Sequence, residues 1–222
     1  MRYAIVDGKK SEAQPKLKGH CPNCDAEMVA KCGRVKIWHW AHKGCPPCDP
    51  WWETETNWHR AWKNCFPMDW QEVSHIDPYS GERHIADIKT PYGFVIEFQH
   101  SIIHHTERYE REAFYKNMIW VVDGLRNSFD LTYFNIGISG PVQNNPLAYK
   151  INWWGRSRLL HNWADSGAKV YLDFGGENLW RLIIFDSEKN VGAVGPISKE
   201  IFIQNCKNGE PISVSYIDEE EK

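Results

Sequence analysis

Two Cys-x-x-Cys units, Cys21-Pro22-Asn23-Cys24 and Cys45-Pro46-Pro47-Cys48, constrain the fold of this chain more than anything else in it. Twenty residues separate Cys24 from Cys45, an interval that suits two knuckles aiming their sulfurs at one tetrahedral zinc ion. The spacing allows two ligand sets. One is Cys21, Cys24, Cys45 and Cys48. The other takes His39 or His42, from the intervening His39-Trp40-Ala41-His42, in place of one of the last two, because neutral imidazole serves zinc as well as thiolate does. A redox role would call for a thioredoxin-like βαβ pattern, which is missing here. With four or more good ligands no coordination position stays open, so the zinc is expected to be structural.

Cysteines used this way belong to a reducing compartment. The first residues, Met1 to Gly8, have neither the apolar core nor the cleavage pattern of a signal peptide, so a cytoplasmic protein is expected. No apolar run reaches the roughly 18 residues that cross a bilayer. The formal net charge of −3 gives no overall attraction to nucleic acid or membrane, so contact with a polyanion must come from a local patch. At 222 residues, with 42% hydrophobic residues and 12 tryptophans, the chain can build one medium domain with an appendage or two small domains.

The stretch Arg83 to Ser101 predicts a hairpin. Both flanks are rich in β-branched and aromatic residues, and Thr90-Pro91-Tyr92-Gly93 between them offers proline to preset φ and glycine to accept a positive φ. A three-residue loop of Pro91, Tyr92 and Gly93 sets Asp87 opposite Glu97 and puts Gln99 on the same face. Two carboxylates that close repel unless a divalent cation sits between them. A two-residue loop would throw them onto opposite faces.

Upstream, Trp58, Trp62 and Cys65 or Phe66 make an apolar stripe that predicts a helix over Glu53 to Phe66, closed by Pro67. Glu55, His59 and Lys63 form a polar row beside it, which an ordinary solvated ladder explains as well as a site does. A strand is expected at Met68 to Ile76, an amphipathic helix at His104 to Asn117 with Tyr109, Ala113 and Phe114 inward, and a buried central strand at Met118 to Val122. The order helix, three strands, helix, strand predicts an α/β sandwich with a mixed sheet. Beyond Arg126 the pattern suggests a strand near Leu131 to Ile136 and then a Pro-, Asn- and Gly-rich loop. A helix at Ser157 to Ala164, strands at Lys169 to Phe174 and Trp180 to Asp186, and a helix at Ser198 to Cys206 precede a frayed acidic end, Asp218 to Lys222. Trp153-Trp154-Gly155-Arg156-Ser157-Arg158 mixes rings with cations that can stack on bases, though packing is the commoner use of such rings.

Cys-x-x-Cys, His-Trp-Ala-His, Glu-x-x-x-His-x-x-x-Lys, then Ala-Asp and Ile-Glu-Phe-Gln-His-Ser resemble the competence protein CoiA-like family of predicted nucleases over residues 19 to 124. The resemblance implies a zinc-ribbon-like module at residues 1–50 and a core similar to the PD-(D/E)xK, or restriction-endonuclease-like, αβββαβ fold at 51–126. An α+β extension at 127–222 follows. It also implies zinc on Cys21, Cys24, His42 and Cys48, with Cys45 and His39 as open alternatives. Catalytic Mg²⁺ or Mn²⁺ is implied on Asp87 and Glu97, with Glu55 and His59 matching the helix motif and Gln99 positioning water. Gln99 stands where most such enzymes carry lysine, so the missing charge falls to the metals, to Lys89 or to His59. The implied activity is hydrolysis of phosphodiester bonds in DNA, with Arg108, Arg111 and Lys116 as candidate backbone contacts. The alternative is a zinc-stabilised nucleic-acid-binding module with a degenerate centre.

Overall fold

A computed structural model describes residues 1–144 and 147–212; the acidic end at 218–222 lies outside the described residues. The chain is mixed α/β and mostly sheet, and it forms two compact units, Met1–Pro91 and Tyr92–Lys222. The expected core at 51–126 therefore runs through both. Among the described residues no helix is long and apolar enough to cross a membrane.

In the first unit, strands β1 (Tyr3–Val6), β2 (Lys9–Glu12), β3 (Lys18–His20), β4 (Glu27–Lys31) and β5 (His39–His42) make a five-stranded sheet in the order β2-β1-β3-β4-β5. All its pairings are antiparallel. Ala4, Ala13, Cys21, Met28 and Trp40 form its core. Gly19 lets β1 and β3 approach closely, since a Cβ there would stand 2.9 Å from the Ile5 carbonyl oxygen. Val35, ahead of β5, is 97% exposed. Helix α1 (Asn57–Lys63) follows, then a 3₁₀ turn (Met68–Trp70) and the antiparallel pair β6 (Gln71–Ile76) and β7 (Arg83–Lys89).

The second unit contains β8 (Val95–Gln99), α2 (His105–Tyr115), β9 (Met118–Asp123), α3 (Asp130–Gly137), β10 (Ile138–Asn144), β11 (Leu147–Asn152), α4 (Arg158–Trp163), β12 (Lys169–Asp173), β13 (Asn178–Asp186), β14 (Val191–Ser198) and α5 (Lys199–Asn208). Its strands run β10-β11-β14-β13-β12-β9-β8. β8, β9 and β12 are parallel neighbours and the remaining pairs are antiparallel, so the sheet is mixed. All six residues of β9 are buried, as a central strand requires.

From α1 to β9 the element order is helix, three strands, helix, strand, as expected. Three expectations fail. Leu131 to Ile136 is helix, not strand, and the Pro-, Asn- and Gly-rich stretch after it contributes the antiparallel strands β10 and β11 rather than a loop. Helix α2 buries Arg108, Arg111 and Tyr115, whereas Tyr109 is 70% exposed. The two arginines face inward with their guanidiniums over the rings of Trp163 and Trp120, at 5.7 and 5.9 Å from the centroids. Their heads are held by carboxylates: Arg108 by Asp165 at 2.5 Å, and Arg111 by Glu107 at 2.5 Å and Glu97 at 3.1 Å. That removes Arg108 and Arg111 from the exposed cations suited to contact a nucleic-acid backbone.

Candidate functional site

The sulfurs of Cys21, Cys24 and Cys48 and a ring nitrogen of His42 lie within 4.8 Å of one another. Cys21 follows β3 and starts a knuckle in which the Asp25 N–H donates to the Cys21 carbonyl and the Cys21 N–H to that of Ala26, both at 2.9 Å. Asp25 takes the positive φ (61°) that turns the knuckle and brings Cys24 round. His42 is the last residue of β5. Cys48 is fixed by its neighbour Asp49, a buried carboxylate that accepts from the N–H groups of Trp51 (3.0 Å) and Ile85 (2.7 Å) and pairs with His84 Nδ1 (2.9 Å).

The Cys21 and Cys48 sulfurs are 3.7 Å apart, and Cys24 Sγ is 3.3 Å from His42 Nε2. Tetrahedral zinc with bonds of about 2.3 Å to sulfur holds two sulfurs about 3.8 Å apart, so the donor set fits that ion. Burial pushes the Cys21 thiol up to about 12 and raises that of Cys48, so a bound cation is what would hold these sulfurs as thiolates. Asn23 supports the same two sulfurs, its backbone N–H to Cys21 and its amide to Cys48, each at 3.4 Å. The Asn23 side chain in turn accepts from Ser74 Oγ (2.5 Å) on β6, and its carbonyl from Arg83 (2.9 Å) on β7. Cys45 is exposed, and His39 Nδ1 is bonded to the Ile37 carbonyl at 2.8 Å.

A second cluster in this unit surrounds Lys63, the last residue of α1 and only 4% exposed. Its ammonium is 2.8 Å from Asp87, 3.1 Å from Glu72 and 3.6 Å from Glu55. Burial alone would lower the Lys63 pKa, but the charges of Asp87, Glu72 and Glu55 outweigh it and hold the ammonium protonated well above the ordinary lysine range. Glu72 is desolvated too, yet Lys63, the N-terminal amine and the N–H groups of Arg2 and Tyr3 bring its pKa down to about 2. Those two N–H groups reach Glu72 at 2.9 and 3.0 Å.

Glu55 lies before the helix rather than on it, because Thr56 is the N-cap. It still reaches Arg60 at 2.9 Å, while its Oε1 is buried with no hydrogen-bond partner among the described residues. His59 closes the capping box: its N–H donates to Thr56 Oγ1, and its Nδ1 accepts from the Thr56 N–H at 3.1 Å. Its Nε2 faces Glu53 at 3.1 Å, so the proton sits on Nε2.

Glu97 and Gln99 belong to the second unit, on β8, and both are buried. Glu97 accepts from Arg111 at 3.1 Å. The Gln99 amide donates to the Ser101 carbonyl (3.1 Å) and hydroxyl (3.3 Å). Sequence reasoning missed Glu72 and the central place of Lys63. No local signal marks Glu72, whose backbone partners lie about seventy residues away at Arg2 and Tyr3.

Fold and site together describe a β-rich Cys₃His module, in one unit with a helix and hairpin that bury carboxylates around a lysine. Residues 7–49 match the family model described as Competence protein CoiA, N-terminal domain. This match supports the CoiA-like resemblance across the cysteine module, and it stops short of α1. No curated protein and no solved structure matches the chain.

Proposed function

We propose that the chain is a Mg²⁺- or Mn²⁺-dependent nuclease that hydrolyses phosphodiester bonds in DNA, with zinc on Cys21, Cys24, His42 and Cys48 as a structural ion. One observation carries this: Lys63 is held charged among Glu55, Glu72 and Asp87, with Asp87 at 2.8 Å. A centre of this kind needs a cation beside its carboxylates, and Lys63 is one beside Asp87. The pairing of Asp87 with Glu97 in this function, and the use of Gln99 to orient water, rest on the sequence.

The residues suit a divalent ion, since Glu55 presents a buried oxygen with no hydrogen-bond donor and Asp87 is 21% exposed. Such an ion supplies Lewis-acid neutralisation of the scissile phosphate and lowers the pKa of water. The side chains do the rest. Lys63 offsets negative charge next to Asp87, and the capping box of Thr56 and His59 fixes the start of the helix whose last residue is Lys63.

The test is cleavage of linear, circular, single-stranded, branched and RNA substrates with Mg²⁺, Mn²⁺ or neither. Asp87→Ala and Lys63→Met are expected to lose roughly a hundredfold or more in rate. Wild-type rates in Asp87→Ala would overturn the proposal.

A second reading, a nucleic-acid-binding module with a degenerate centre, draws on the Arg111–Glu97 bond at 3.1 Å, which engages a carboxylate that a metal would need. Titrating Mn²⁺ calorimetrically into wild type and Glu97→Ala separates the two. Binding lost in the variant favours the nuclease, and no binding to either favours the module.

A further inference from the structure

Within the second unit, the parallel strands β8, β9 and β12 end at Gln99, Asp123 and Asp173. In open α/β sheets ligands collect beyond the carboxyl ends of parallel strands. His100 directly follows β8, and its Nδ1 lies 2.7 Å from Asp123 Oδ2. The other Asp123 oxygen accepts from the Leu125 N–H at 2.9 Å. Asp123 is buried, so it fixes both the orientation of the ring and the proton on Nδ1.

The ring lines a pocket of about 90 Å³ together with Ser101, Arg126, Asn127, Arg158 and Asn162, and the carboxylates Asp123 and Asp130 line it too. Arg126 and Arg158 are exposed, and neither guanidinium has an ion pair or hydrogen bond among the described residues. Both act on one carboxylate, Asp130, whose pKa burial raises and the two arginines lower. With Asp123 hydrogen-bonded to His100 and the Leu125 N–H, Asp130 is the carboxylate left beside the two arginines.

We propose that this pocket binds a phosphate group. Arg126, Arg158, Asn127, Asn162, Ser101 and His100 line it, and Arg forks match phosphate oxygens bidentately. The volume, far below the roughly 300 Å³ at which whole small-molecule sites begin, admits a single group rather than a nucleoside. The phosphate comes either from a free mononucleotide or from a nucleic-acid strand held by one of its phosphates. This site lies apart from the Lys63 cluster and does not depend on the chain's cutting DNA.

Calorimetric titration of the full chain without added divalent ion, using inorganic phosphate, deoxyadenosine monophosphate and a short single-stranded oligonucleotide, tests it. Binding is expected to weaken about tenfold in Arg126→Gln and in Arg158→Gln, as for loss of one charge-assisted contact. Arg156→Gln, an exposed arginine outside the pocket lining, should bind like wild type. If the small probes bind, the ligand is a free phosphate; if only the oligonucleotide binds with the same arginine dependence, it is a strand. Absence of binding by all three probes, or wild-type affinity in the double variant Arg126→Gln/Arg158→Gln, overturns the proposal. Repeating the titration in Asp87→Ala keeps the outcome separate from the nuclease reading.

Discussion

Lys63 is an ammonium with 4% exposure that would lose its charge in an apolar pocket, and it stays charged because three carboxylates face it. The dependence is mutual. Lys63→Met strands Glu55, Glu72 and Asp87 and should lower stability by about 3–5 kcal/mol in chemical denaturation at pH 7, as breaking a buried pair does. Glu72 sets the acid limit. Its pKa falls from the ordinary 4.5 to about 2 in the folded chain, so its contribution is complete above 4.5 and fades as pH drops toward 2. The amount at stake is about 3 kcal/mol, from roughly 1.4 kcal/mol per unit. Urea midpoints measured from pH 7 to pH 3 should fall steeply in wild type and more gently in Glu72→Gln. At the metal cluster, elemental analysis should find one zinc per chain in wild type and in Cys45→Ser, and close to none in Cys48→Ser, because only the Cys48 sulfur stands with the other three donors.

Helix α1 has only seven residues, too short to persist alone, so its ends matter. Thr56→Ala removes the acceptor for the His59 N–H and should lower the denaturation midpoint by the equivalent of about 1 kcal/mol, with zinc content unchanged. The residues of this helix were legible from the spacing of Trp58 and Trp62, but its start was not, because the capping Thr56 lies within the span expected to be helical from Glu53. The cysteine knuckles were legible because a metal site is written in local spacing. The choice of Cys48 over Cys45 came from the resemblance, and the structure explains it through Asp49, which is buried and bonded to β7 residues. Leu131 to Ile136 carries β-branched and aromatic residues suited to a strand, yet Phe134 against Phe174 and Trp180, at 4.5 and 5.5 Å, fixes it as a helix. Strand β14 went unread because Val191-Gly192-Ala193-Val194-Gly195-Pro196 has the composition of a loop. Gly192 is required there, since a Cβ would stand 2.3 Å from the Ile183 oxygen. Pro196 lies beyond Val194, the end of the pairing with β11, so its missing N–H costs that ladder nothing.

Over the whole chain, 26 lysines and arginines stand against 29 aspartates and glutamates, so the overall charge gives no general attraction for a polyanion. Several of those cations are also committed inside their own units. Arg2 pairs with Glu12, Lys63 with its carboxylates, Arg108 with Asp165 and Arg111 with Glu97. Arg126 and Arg158 stand out as exposed cations that converge on one concave site. A strand held there by one of its phosphates gives a slope of log K against log salt near −0.7, the value per phosphate for single strands. Anisotropy titrations of a labelled oligonucleotide from 50 to 200 mM salt should show that shallow slope, with affinity about tenfold lower in Arg126→Gln. A protein gripping six or more phosphates would instead show a slope of about −4 or steeper, and a slope of that size would place the nucleic-acid contact on a surface other than this pocket.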